Sequence, residues 1–402
     1  MDAPSSSPAL HTGLATPRTF LALALVSALL GSTTPSPLYG LYQSLWGFPS
    51  VTLSALYALY AFGVLIALAC CGRLSDRLPD RRLIILPALG MVALGALLFA
   101  FADDLPELFL GRLLAGLGTG ALTGSANAAL MDFDAQDLRK RAASIATLAF
   151  TGGAALGPVL SSAALYLEFW PRSSPFLFNV ALALLTGLGL LLGRWPQRPA
   201  VPALQRAASG RESPLCALRP IRQPFAMLCA ALVLAWSVGS LFVALGPTLL
   251  ASTLPSGSLA AGGLVVAGFQ LSAGASQFLC RQLQARPAIR LGSILLAVSW
   301  CGCVASLVYG RGWSFCLFTL LAGTGYGASF VGAVGRLGAI APAQHRGALN
   351  SLLYVAGYLG SALCILGIGA VVDAIGMLPA MTVLAGAVVL AAVALVRSSR
   401  FD

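Results

Sequence analysis

Long runs in which almost every position is apolar alternate with short polar stretches along the whole chain. Inside the runs there is no alternation of the kind a half-buried strand needs, and about 20 apolar residues is what a helix requires to cross a hydrocarbon layer. On that template helices are predicted over 20–42, 50–71, 83–102, 107–130, 143–166 and 175–193, then over 223–250, 259–280, 291–310, 314–335, 347–371 and 377–396. Helices are the required form, because lipid offers no partner to a free backbone amide or carbonyl. The first run is read as a span and not as a cleaved leader: eleven more follow it, and its flank Thr33-Thr34-Pro35-Ser36-Pro37 is a poor cleavage site. Pro35 and Pro37 predict a break in that first span.

The longest polar stretch, rich in proline and arginine, covers residues 194–222. It reads as a linker on the cytoplasmic side between residues 1–193 and 223–402, six spans each. The two parts are related. LLAGLGTGA at Leu113–Ala121 returns as LLAGTGYGA at Leu320–Ala328, and the interval from Arg141 to Gly152 equals that from Arg346 to Gly357. An all-α protein of two pseudo-symmetric six-helix bundles is the simplest architecture that explains both.

Composition changes the picture only by fixing the solvent. With 58% hydrophobic and 9% charged residues and a mean hydropathy of +0.87, the chain cannot wet a surface that in soluble proteins takes about 25% charged residues. Its formal charge of +11 is almost all arginine. Those arginines sit in short loops on one side of the predicted spans, leaving only Arg172 and Arg311 on the other, which points to a cytoplasmic arginine-rich face and both termini inside. Topology therefore accounts for the basic balance, and no nucleic-acid partner is implied. The nine cysteines have neither zinc nor redox spacing, and two histidines, His11 and His345, make no metal centre. No metal and no cofactor are expected. The partners are the bilayer and a small molecule, and a monomer in the plasma (inner) membrane is expected.

Candidate chemistry is sparse. Arg112 is the one ionised group well inside an apolar run. A buried arginine costs at least about 2.5–3.5 kcal/mol on insertion scales, so it is kept for electrostatic work or for a structural pair; Asp104 and Glu107, less than three turns away, are the acids within reach. The repeat places Thr319 at the same position in its second copy. Gly116, Gly118 and Gly120, matched by Gly323, Gly325 and Gly327, let helices approach closely. No strand precedes them and no lysine follows, which argues against a phosphate loop. Pro158 removes a backbone donor inside a span, beside Gly153 and Gly157.

With these residues in view, the chain resembles the major facilitator superfamily along nearly its whole length. The segment Gly72-Arg73-Leu74-Ser75-Asp76-Arg77-Leu78-Pro79-Asp80-Arg81-Arg82 resembles the family's signature loop, with Pro79-Asp80 where glycine and a basic residue usually stand. Arg112 followed by spaced glycines resembles the fourth-helix motif. Gly152-Gly153-Ala154-Ala155-Leu156-Gly157-Pro158 resembles the motif of the superfamily's exporters, although Ser144 and Ser161-Ser162 replace expected glycines. In the second half the signature loop keeps Arg281 but has Cys280 at the acid's place.

The resemblance implies that Gly72, Asp76, Arg77, Arg81 and Arg82 gate the cytoplasmic side, with Asp76 latching the halves near Gly347. It also places a substrate cavity between helices one, four, seven and ten, where Ser36, Tyr39, Thr123, Asn127, Trp236, Ser240, Phe242, Tyr326 and Phe330 are candidate contacts. The expected function is secondary active efflux of a small organic molecule by alternating access, with a proton as coupling ion through Arg112 with Asp104 or Glu107. Uptake or facilitated passage of a nutrient by the same fold is the alternative. An enzyme would need convergent acids, histidines or a nucleophile–base pair, and a receptor an appended domain; no such pattern is present, and the chain is not expected to be an enzyme.

Overall fold

The structure is a computed structural model. It describes residues 17–78, 80–132, 139–193, 195, 218–254, 258–342 and 345–398, without the side chains of 72–77, 131–132 and 139–144. Thirteen α-helices account for most of the described residues: α1 Pro17–Thr33, α2 Tyr39–Trp46, α3 Ser50–Arg77, α4 Arg82–Ala100, α5 Leu105–Asp132, α6 Arg139–Tyr166, α7 Ser174–Leu192, α8 Arg222–Ala251, α9 Leu259–Cys280, α10 Ala285–Val308, α11 Gly312–Ile340, α12 Arg346–Ile375 and α13 Met377–Arg397. Every predicted span has its helix. Several extend further than expected at the arginine-rich ends, where hydropathy falls but the backbone stays helical. Of the stretch read as a linker, residues 196–217 lie outside the described residues.

The first span is broken where its prolines predict. After α1 a short 3-10 turn, Ser36–Leu38, leads into α2. Neither Pro35 nor Pro37 has an N–H to continue the ladder, so the carbonyls at the end of α1 need other donors. Thr34 makes the last ordinary bond of α1, its N–H to the Leu30 carbonyl, which its hydroxyl also meets, and at the break Ser161 of α6 gives its hydroxyl to the Thr34 carbonyl. A related gap opens in α8, where Pro247 cannot bond Val243; the Ser36 hydroxyl fills it across the two halves.

Eleven of the resulting spans, α1 and α2 counted together, are apolar enough to cross a membrane by length and composition; α5 alone is not. It is the helix of Arg112, five glycines and Asn127, and it packs against α1, α3 and α4. Large apolar side chains on the outside of the molecule, such as Leu184 (64% exposed) and Leu192 (78%) on α7, mark the lipid-facing surface.

Helices from Pro17 to Leu192 pack chiefly among themselves, as do those from Arg222 to Arg397, and α3 against α12 and α6 against α9 carry most of the contact between them. The glycine repeats set the internal spacing in the same way twice. A methyl group on Gly116 or Gly120 would meet the carbonyls of Tyr60 and Val64 on α3, and one on Gly118 would lie 2.6 Å from that of Ala88 on α4. On α11, Gly323 and Gly327 abut Phe269 and Ala273 of α9, and Gly325 abuts Gly292 of α10. Gly153 and Gly157 bring α6 onto Val26 and Leu30 of α1 in the same manner.

Candidate functional site

Arg112 is fully buried. Its Nε donates to the Tyr39 hydroxyl at 2.5 Å and its Nη1 to the Ser32 carbonyl at 2.7 Å. That carbonyl belongs to the last turn of α1, just before the break. The guanidinium also lies 5.3–5.9 Å from the ring centres of Tyr39, Tyr57, Tyr60 and Phe99. Desolvated cation–ring contacts contribute up to about 2 kcal/mol each, and hydrogen bonds to a charged group about 1.5–3 kcal/mol. Together they are of the size needed to hold a buried arginine without a carboxylate. The third nitrogen, Nη2, is buried without a partner.

This overturns the expected grouping with Asp104 and Glu107. Asp104 is exposed. Glu107 turns back to accept the N–H groups of Asp103 and Asp104 at 2.8 and 2.7 Å, capping α5. An acid in the first turn stabilises its own helix N-terminus, and that use has taken Glu107 away from Arg112.

Around Arg112 the tyrosines continue into the second half. The Tyr57 hydroxyl reaches Ser240 on α8, and that of Tyr60 reaches Ser32 and Thr119. Tyr358 of α12 packs on the cluster of Tyr60, Val64 and Ala115; Tyr326 lies close to Tyr57, Tyr354 and Tyr358, and Tyr354 close to Tyr358. Trp236 stacks on Phe330 and Tyr354 at 6.4 and 5.9 Å and meets Tyr358 edge-on at 4.5 Å; its indole N–H has no partner. Six of the nine tyrosines therefore converge on one region: Tyr39, Tyr57, Tyr60, Tyr326, Tyr354 and Tyr358.

Of the cavity residues expected from sequence, the structure brings Tyr39, Trp236, Ser240, Tyr326 and Phe330 into this region. Thr123 bonds back to Thr119 at 2.7 Å. Asn127 lies four turns along α5 from Arg112, its Oδ1 buried without a partner. Two residues are corrected. Ser36 is fully buried, its hydroxyl engaged with Val243. Phe242 faces the interior of the second half, against Phe269, Trp300 and Phe315. Sequence reasoning missed Tyr57, Tyr60, Tyr354 and Tyr358; the pairs spaced by three and four residues were the available signal, since that spacing puts both rings on one helix face.

The residues expected to gate the cytoplasmic side lie at the end of α3 and the start of α4. Gly72, Asp76 and Arg77 end α3 as backbone, and their side chains lie outside the described residues. Arg82 makes a bond of 2.8 Å with Asp80 and lies 5.5 Å above the ring of Trp195, and Arg81 is buried. Partial burial alone would raise the Asp80 carboxyl's pKa, but the side-chain and backbone bonds from Arg82 outweigh it and hold the group below its ordinary value. On the arginine-poor face a second carboxylate joins the halves. Asp373, near the end of α12, accepts the N–H groups of Ser50 and Val51 at 2.8 Å each and so caps α3. The Ser36 bond and the approach of Gly40 to Leu259 also join the halves.

Among the described residues, eleven spans apolar enough to cross a membrane, packed with the helix of Arg112, define the class: a multi-pass integral membrane protein. The chain belongs to the Major Facilitator Superfamily, whose sequence profile matches residues 21–286. It is 29% identical over 319 residues to the "Tetracycline resistance protein, class E" of Escherichia coli, covering 76% of this chain and 75% of that one. Over 186 residues it is 31% identical to the "Gentisate transporter" of Corynebacterium glutamicum, 44% of this chain and 40% of the other. In fold it is similar to the nucleoside transporter NupG (TM-score 0.77, 15% identity, 96% of this chain and 100% of that one). A POT family transporter solved with 5-aminolevulinic acid is similar too (TM-score 0.76, 12% identity, 94% of each).

Proposed function

We propose that this protein is a secondary active transporter that exports a small organic molecule by alternating access, driven by proton influx. It works as a monomer in the plasma (inner) membrane, with both termini and the arginine-rich face in the cytoplasm. The observation that carries the reading is Arg112: a buried cation without an acid partner, tied to the broken first span and walled by rings from both halves. A charge in that place responds to what enters and to how the first span moves. The likeness to the tetracycline resistance protein supports export, as does Gly157, packed on Leu30, Thr33 and Thr34 at the break.

Among the described residues no acid stands mid-span, so proton coupling is assigned to the gate carboxylates. A proton on Asp373 would remove the charge that caps α3 and release the arginine-poor face. Asp76, at the other end of α3, is the corresponding group for the cytoplasmic face. Uptake is the second reading, favoured by the likeness to the gentisate transporter.

The test is export into everted membrane vesicles under an imposed pH gradient, with compounds chosen by toxicity profiling of deletion and overexpression strains. Arg112→Ala is expected to abolish gradient-driven flux while leaving membrane insertion intact. Unchanged flux would overturn the role given to Arg112.

A further inference from the structure

Among the described side chains that meet around Arg112 are hydroxyls and rings but no carboxylate. Arginine has only donors, and so has the indole of tryptophan. Two donors are buried without partners, Nη2 of Arg112 from the first half and Nε1 of Trp236 from the second. Tyr60, 5.4 Å from the guanidinium, and Tyr358, 4.5 Å from the indole, lie close to each other. The one orphaned acceptor on α5 named among the cavity candidates is Asn127 Oδ1, about 22 Å along the helix from Arg112. Of the acids in the described helices, Glu107 and Asp373 cap helices at the arginine-poor ends, and Asp76 and Asp132 stand at the arginine-rich ends of α3 and α5. The centre thus carries one fixed positive charge in a medium of low dielectric, where an uncompensated charge acts over a long range.

From this we propose that the transported ligand is an aromatic anion, its deprotonated group bonded to Nη2 of Arg112 and its ring laid along Trp236. The proposal rests on the reading of this region as the transport site. A cation would be repelled there, and a neutral ring would leave Nη2 unsatisfied. A carboxylate meets the planar guanidinium with charge-assisted bonds. The rings of Tyr60, Tyr358 and Trp236 give a one- or two-ring body apolar faces on both sides, with hydroxyl donors at their edges. Binding would also bear on the gate: Nη1 of the same guanidinium holds the Ser32 carbonyl, so an anion pulling on Nη2 acts on the break in the first span.

The experiment compares three probes of one shape on the purified full-length protein by calorimetry: 2-naphthoate, neutral 2-naphthamide and 2-naphthylmethylammonium. The naphthoate is expected to bind at least about tenfold more tightly than either of the others. That preference should vanish in Arg112→Gln and survive in part in Arg112→Lys. Trp236→Phe should weaken naphthoate binding several-fold without changing the order. Equal binding of the amide or the ammonium by the wild type overturns the proposal, as does an undiminished preference in Arg112→Gln. Where Arg112→Gln is not monodisperse, Trp236→Phe and Tyr358→Phe carry the test, and full naphthoate affinity in both overturns it. Vesicle flux separates this inference from the one beneath it. Arg112-dependent export of neutral compounds without anion preference removes the ligand class and leaves the transporter reading. Anion-selective binding without gradient-driven flux does the reverse.

Discussion

Arg112 and Thr319 hold the same place in two copies of one glycine-rich segment, and their surroundings have opposite chemistry. Arg112 is met by the Ser32 carbonyl, the Tyr39 hydroxyl and four ring faces. Thr319 turns its hydroxyl back to the Phe315 carbonyl at 2.8 Å. On that side Phe242 packs with Phe269, Trp300 and Phe315 at 5.2–6.4 Å between ring centres. The void left among Phe242, Trp300, Cys303, Phe315 and Met381 is about 10 Å³, too little to hold a water molecule comfortably. The glycines that seat α5 and α11 are shared, so duplication kept the packing. The charge and its hydrogen-bonding shell belong to one half, while the other half's counterpart is a dry, rigid aromatic core.

The harshest way to break this comparison is Thr319→Arg. In the second half the first span, α8, stays helical through Pro247, and the carbonyl which that proline frees, that of Val243, is already taken by Ser36, so none is left for the guanidinium, and the rings there bring no hydroxyl. An unpaired arginine costs at least about 2.5–3.5 kcal/mol on insertion scales, and overpacking adds about 1–3 kcal/mol. Loss of monodisperse protein on size exclusion is expected. A well-folded Thr319→Arg would mean that surroundings do not decide which half carries the charge.

A milder test addresses what the halves share. Gly120→Ala and Gly327→Ala each put a methyl group against a facing backbone carbonyl, of Val64 and Ala273. Both should lower thermal stability by a similar amount, about 1–3 kcal/mol. Gly124→Ala and Gly335→Ala, whose added methyl groups meet open space, should stay within about 0.5 kcal/mol of wild type. Unequal costs for Gly120 and Gly327 would show that the two helices are not seated alike.

Smaller still is the effect expected at the seam between the halves. Asp373→Asn keeps an acceptor for α3 but removes the charge, a change of about 0.5–2 kcal/mol at a helix N-terminus. The shift should appear as greater labelling of a cysteine placed at Ser36, in a background without the native cysteines, because the arginine-poor face opens more often. Labelling equal to that of the unmutated background would remove Asp373 from the gate.

The sequence carried every span, with its ends to within about six residues, because lipid imposes a length and a composition that can be counted. It did not carry which side of a span faces the centre. In a bilayer the outside is as apolar as the core, so the polar stripe that orients a helix in a soluble protein is missing, and Tyr57 and Tyr60 on α3 look like any other lipid-exposed rings. Arg112 stood out as the single charge, yet its partners did not. Tyr39 is 73 residues away beyond a break whose freed carbonyls only the folded chain reveals, whereas the nearby Glu107 was already committed to its own helix. Phe242 was misplaced for the same reason as the tyrosines: its span is apolar all round.

The gentlest distinction between the halves lies in their arginine-rich loops. In the first, Asp80 accepts the backbone N–H and the side chain of Arg82. In the second, where Cys280 stands at the place of Asp76, Arg281 lies 4.0 Å from the ring centre of Phe278. Asp80 has a folded pKa below its ordinary value, because the bonds from Arg82 outweigh the opposing effect of partial burial. Its contribution is therefore fully present above the unfolded pKa of about 3.9. It is lost as the pH falls through the lower, folded value. The pair is partly solvated, so the gain is of the order of an exposed ion pair, about 0.2–1 kcal/mol. Wild type should be slightly more stable to heat than Asp80→Asn at pH 7, and the two should converge once the pH drops below about 4. A gap that persists undiminished in acid would show that Asp80 acts through packing, and the loops of the two halves would then differ less in chemistry than their sequences do.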